Sequence, residues 1–108
     1  MHAIEFIETE IFTKRIQEML TDEEYRCLQT DLIRRPHAGA VIPGGKGLRK
    51  LRWSLKEKGK RGGIRVIYYF YMEKHKLYMI YAFSKSEQAD LTREQLKSLA
   101  EYVKGGVL

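Results

Sequence analysis

The chain has 108 residues, 44% hydrophobic and 31% charged, with 20 Lys and Arg against 14 Asp and Glu. That length supports one hydrophobic core and excludes two ordinary domains, so residues 1–108 are read as a single domain. One cysteine, Cys27, excludes an internal disulfide and gives no structural zinc site, and no stretch reaches the roughly 18 consecutive apolar residues of a membrane span. The opening MHAIEFIETE carries carboxylates where a signal peptide carries lysines, so a cytoplasmic location is expected.

The first predicted element is a short strand over Ala3–Glu8. Phe12, Ile16, Met19 and Leu20 then recur at the spacing of an amphipathic helix, with Thr9 as its cap. Thr21 and Glu24 have the spacing of a capping box, and Leu20 with Tyr25 that of a hydrophobic staple, which starts a second helix at Thr21. Its inward stripe is Tyr25, Leu28 and Leu32, and Cys27 is read as a residue at the edge of the core. Pro36 ends this helix, and PHAGAVIPGGKG, with two prolines and four glycines, is a loop.

From Leu48 the period changes to two. Leu51, Trp53 and Leu55 point one way while Lys50, Arg52 and Ser54 point the other, the signature of a strand with one buried face. The loop Lys56–Gly63, KEKGKRGG, is too long and too charged for a two-residue turn. The run from Ile64 to Glu73, IRVIYYFYME, is apolar on both parities, as expected of a central strand covered on both sides. A turn at EKHK leads to a last strand, KLYMIYAFS, over Lys76–Ser84. Leu91, Thr92, Gln95 and Leu96 repeat the staple and capping box for a C-terminal helix that Gly105 and Gly106 stop. The fold class is α+β: a small antiparallel sheet packed against an N-terminal helical hairpin, with a C-terminal helix.

Charge is concentrated within this pattern. Residues 45–65 hold nine Lys and Arg against Glu57, a net +8, which leaves −2 for the rest of a chain of net +6. A basic field on strands can be aimed, and its expected partner is a polyanion. RNA cleavage by transesterification needs a base near the 2′-hydroxyl and cations around the phosphorane-like transition state. His2 at the terminus, His37 in a Pro-Gly loop and His75 in a turn are poorly placed for this. Cations crowded on one face favour a neutral lysine, so Lys50 is the candidate base. Arg52 and Arg65 offer planar bidentate donors to the phosphate. No Asp/Glu/His cluster has ligand spacing, so neither metal nor other cofactor is expected.

The string GLRKLRWSLKEKGKRGGIRVIYYF, followed by IYAFSKSEQADLT and a closing helix, resembles the HigB branch of the RelE superfamily of bacterial toxins over almost the whole chain. The resemblance implies a ribosome-dependent mRNA endonuclease that cleaves translated mRNA in the decoding site, inhibits translation, and is neutralised by a cognate antitoxin. That antitoxin is expected to be a helix-turn-helix, HigA-like protein with an acidic contact segment. The family's cationic strand falls on Lys50 and Arg52, the arginine of its next strand on Arg65, and the basic residue after its last strand on Lys85. Two positions depart from the pattern: Ser86 stands where an arginine is expected, and Leu91 is nearest to an expected tyrosine. The general acid is therefore unassigned.

Lys46, Arg49, Lys56, Lys58, Lys60 and Arg61 are expected to contact ribosomal RNA without taking part in chemistry. The plain alternatives are a solvated strand face for Lys50 and Arg52 and an ion pair within the sheet for Arg65. Trp53 and most of the tyrosines are expected to pack the core. Two other functions fit the same elements: a ParE-like, non-catalytic inhibitor of DNA gyrase, and a nucleic-acid-binding module whose charge serves affinity alone.

Overall fold

The computed structural model describes residues 3–54 and 63–104. In chain order it contains β1 (Glu5–Glu8), α1 (Glu10–Met19), α2 (Asp22–Arg34), β2 (Ala40–Val41), β3 (Arg49–Trp53), β4 (Ile64–Tyr71), a 3₁₀ turn (Met72–Lys74), β5 (Lys76–Ser84) and α3 (Arg93–Lys104). The loop cations Lys56, Lys58, Lys60 and Arg61 lie outside the described residues, as do Leu55 and the glycines expected to stop α3.

Each helix starts at the cap that its sequence encodes. The Thr9 hydroxyl accepts from the Phe12 N–H at 3.0 Å and donates to the Ile80 carbonyl at 2.8 Å, so the residue that starts α1 also ties it to β5. Thr21 and Glu24 form a complete capping box at 3.1 and 2.8 Å, and Thr92 and Gln95 form another at 3.0 Å in both directions. These reciprocal bonds satisfy donors that the first helical turn leaves unpaired. Cys27 is exposed on α2, outside the core edge expected for it.

The sheet has the order β1-β5-β4-β3-β2. Strands β3 to β5 form the expected antiparallel meander, the two-residue β2 extends it from within the segment read as a loop, and β1 joins in parallel along β5, pairing Glu5 with Lys76 and Glu8 with Met79. Because β1 stops at Glu8, the outer edge of the second half of β5 has no strand beside it among the described residues. Its carbonyls are served by α1 instead: Thr9 bonds Ile80, and Arg15 Nε donates to Ala82 at 2.6 Å. A sheet edge is thus covered by side chains of the next element.

Two apolar layers sandwich the sheet. On one face Phe12, Ile16, Leu20, Leu28 and Leu32 of the helical hairpin pack against Leu51, Ile64, Val66, Tyr68, Leu77, Met79 and Ala82. On the other, Leu99 and Ala100 of α3 pack with Leu48, Ile67, Tyr78, Ile80 and Phe83. The pairing of β4 with β5 skips Ile80, since Ile67 faces Tyr81 and Tyr68 faces Met79. This bulge lets Tyr78, Ile80, Tyr81 and Phe83 all serve the α3 face, which strict alternation forbids.

Tyr68 is fully buried, yet its hydroxyl donates to Pro36 O at 2.7 Å and accepts from Gly39 N at 2.9 Å. It fastens the loop after α2 to the sheet. Gly39 permits that approach, because a Cβ there would lie 2.8 Å from the Tyr68 ring. Gly63 enters β4 at φ +66°, and a Cβ would sit 2.4 Å from Trp53 O, so only glycine fits at this end of the β3–β4 hairpin. Among the described residues no helix is long and apolar enough to cross a membrane.

Candidate functional site

Strand register decides which cations meet. β3 and β4 pair Arg52 with Arg65 and Lys50 with Ile67, and β5 continues those rows with Phe83 beside Arg65 and Tyr81 beside Ile67. Residues directly opposite on antiparallel strands have Cβ atoms about 4.5–5.5 Å apart. Lys50, Arg52 and Arg65 therefore share the α3 face of the sheet, at the end where β4 begins. Arg52 is exposed, Lys50 is half-buried and Arg65 is only 9% exposed. Two guanidinium-bearing residues directly opposite each other work against folding, so this pair is unlike the other cross-strand neighbours in the sheet.

Lys85 is exposed and follows β5 directly, its N–H donating to Gly63 O at 3.3 Å, which brings its backbone to the start of β4. The turn that carries it is braced from α1. Arg15 pairs with Glu87 at 2.5 Å, and its guanidinium carbon sits 5.0 Å over the Tyr81 ring. Glu87 in turn accepts from Ser84 N at 2.9 Å. The Ser84 N–H, and then the Arg15 guanidinium, hold the Glu87 carboxyl below its ordinary value.

The remaining expected contact residues separate. Lys46 is exposed in the turn before β3, at φ 57° and at the opposite end of that strand from Arg52. Arg49 has the parity of Leu51 and Trp53, and its guanidinium donates to the carbonyls of Gly39 at 2.8 Å and His37 at 3.2 Å. It holds the loop after α2. His75 lies in the turn beyond Tyr71, roughly 20 Å along β4 from Arg65 at about 3.4 Å per residue, and His37 is edge-on to Phe70 with ring centroids 5.1 Å apart.

One participant was absent from the sequence reading. Asp90 Oδ1 accepts from Lys50 Nζ at 2.9 Å and from the Leu91 N–H at 2.8 Å. The Lys50 hydrogen bond is the main cause that holds the Asp90 carboxyl below its ordinary value, and the nearby Arg52 charge acts in the same direction. The crowding expected around Lys50 is thus offset by a carboxylate 40 residues away in sequence. Trp53, by contrast, packs half-buried against the hairpin core as expected. Among the described residues no group of three or more His, Cys, Asp and Glu side chains is placed to hold a metal ion.

Among the described residues, three helices pack around a five-stranded sheet that carries Lys50, Arg52 and Arg65 at one corner. Residues 9–106 match the family described as the RelE toxin of the RelE/RelB toxin-antitoxin system, and the chain belongs to that family. Its fold is similar to that of a mutant of the E. coli toxin RelE in the free state, with a TM-score of 0.62 at 17% identity over 97% of this chain and 99% of that one. It is also similar to a chain of the intact E. coli RelBE toxin-antitoxin complex, with a TM-score of 0.57 at 17% identity over 74% of this chain and 94% of that one.

Proposed function

We propose that this toxin is a metal-independent, ribosome-dependent mRNA endonuclease of the HigB branch, acting in the cytoplasm on translated message. The observation that carries the reading is the register that sets Arg52 opposite Arg65, with Lys50 two residues away on the same face. In the reaction the 2′-oxygen attacks the adjacent phosphorus and the bond to the 5′-oxygen breaks. The products are a 2′,3′-cyclic phosphate and a free 5′-hydroxyl. Arg52, backed by Arg65, neutralises the charge that gathers on the phosphorane oxygens. Lys50, released from Asp90, gives up its own proton to solvent under the repulsion of the neighbouring Arg52 charge and then, as the neutral amine, takes the 2′-hydroxyl proton, and Lys85 contributes positive charge at the rim. The proton delivered to the 5′-oxygen has no assigned donor, since Ser86 and Leu91 stand at the positions where the family pattern offers arginine and tyrosine.

The ribosome supplies what so small a face lacks, a means of holding the message in line for attack. Lys46 and the loop cations Lys56, Lys58, Lys60 and Arg61 contact ribosomal RNA, while Arg49 is kept for the loop after α2. A cognate antitoxin, helix-turn-helix and HigA-like, neutralises the toxin through an acidic segment that complements the basic face. Family membership and the likeness to a chain of the RelBE complex support an antitoxin partner.

Expression of the wild type and of Arg52→Ala in growing bacteria, with mapping of mRNA 5′ ends, tests the reading. The wild type is expected to arrest growth and to create new 5′ ends inside translated frames, and Arg52→Ala to do neither. Growth arrest without new ends would favour gyrase inhibition.

A further inference from the structure

The Lys50–Asp90 pair sits where the proposed site meets its substrate. Asp90 lies on the segment between β5 and α3, and that segment is fastened. The Asp90 carbonyl accepts from Gln88 Nε2 at 2.7 Å, and the same group reaches Gln95 Oε1 at 2.8 Å, the oxygen that also accepts from the Thr92 N–H at the start of α3. The carboxylate is therefore delivered to Lys50 by a built turn rather than by a free side chain. Its side chain is 61% exposed and that of Lys50 is 21% exposed, so the anion lies on the solvent side of the cation. A ligand phosphate approaching the Lys50–Arg52 face from solvent comes to the position that Asp90 already holds.

We propose that Asp90 is an internal counter-ion that occupies Lys50 in the free protein and is displaced by a phosphate of the RNA. The proposal rests on the reading of this face as a nucleic-acid site. Ion pairs with one partner this exposed are weak. A phosphodiester that engages Arg52 and Lys50 together makes several charge-assisted bonds and wins the exchange. An isolated anion that reaches Lys50 alone gains little over the carboxylate it replaces. Asp90 thus sets a threshold: it lowers the affinity of the free toxin for RNA at large and reserves Lys50 for a strand presented in the correct register.

Equilibrium binding of a labelled single-stranded oligouridylate across a KCl series tests this. Asp90→Asn is expected to bind about three- to tenfold more tightly at low salt, with a dependence of log K on log salt steeper by about 0.7, one additional phosphate contact on a single strand. The gain should vanish in a Lys50→Ala background. Asp31→Asn, which removes the carboxylate paired with Arg35 on α2, should change binding little. Equal or weaker binding by Asp90→Asn, or the same gain without Lys50 or from Asp31→Asn, would overturn the proposal. No ribosome and no cleavage enter this readout. A chain that shows the predicted cycle and never cuts message would sink the nuclease reading and leave the counter-ion standing.

Discussion

The two faces of the sheet are built from the same strands for different ends. On the hairpin face Phe12, Leu28, Leu32, Val66, Leu77 and Met79 have no exposure, and the one buried phenol, Tyr68, has both of its hydrogen-bonding needs met. The α3 face buries Leu48, Ile67 and Phe83 just as fully, yet one corner of it carries Lys50, Arg52 and Arg65. Burying apolar area contributes about 25 cal/mol per Å², and both faces stabilise the fold in this way. The second also holds charge on a rigid frame, the arrangement expected where a site binds a polyanion.

The contrast can be broken from either side. Truncating the sealed face should cost most: Phe12→Ala is expected to destabilise by about 3–5 kcal/mol, read as a lowered midpoint in urea, through lost contacts and an unfilled cavity. Tyr68→Phe is a finer probe, because it leaves Pro36 O and Gly39 N without partners while keeping the ring. A loss of about 1–3 kcal/mol is expected in the same measurement, with freer exchange of the Gly39 amide. The smallest effect belongs to the charged face and depends on pH. Asp90 and Glu87 have carboxyls below their ordinary values in the folded chain. Their stabilisation is therefore fully present above the unfolded carboxylate range near pH 4 and is lost as pH falls through the lowered folded values. Both side chains are more than a third exposed, so the loss should be a few tenths of a kcal/mol each. It should appear as the difference between wild type and Asp90→Asn in urea melts taken from pH 6 down to pH 2, with the two curves meeting at the acid end.

Local signals carried most of the architecture. The spacing of Thr21 to Glu24 and of Thr92 to Gln95 gives two helix starts, and the alternation about Leu51 and Trp53 gives both the orientation of β3 and the shared face of Lys50 and Arg52. The same alternation marks Arg49 as facing the hairpin, so its separation from Lys50 and Arg52 is legible in the sequence. Contacts between distant segments were not legible. The parallel pairing of β1 with β5, the Arg15–Glu87 brace and the Lys50–Asp90 pair join segments 40 to 72 residues apart, and neither period nor capping reports on such neighbours. β2 is a two-residue strand in a Pro-Gly loop, too short to have a period. The bulge at Ile80 likewise leaves no trace in the run KLYMIYAFS.

The central claim, that the cationic corner performs chemistry on RNA while the rest of the molecule holds it in place, is tested most directly with purified components. Wild type and Arg52→Ala would be added to ribosomes translating a defined message, and the rate of cleavage and the chemistry of the new ends recorded. The account predicts cuts within translated codons that leave 2′,3′-cyclic phosphate and 5′-hydroxyl ends. It also predicts a rate about 10²- to 10³-fold lower for Arg52→Ala, the loss of one transition-state donor, at an unchanged urea midpoint. No cleavage by the wild type, or equal cleavage by a folded Arg52→Ala protein, would contradict it.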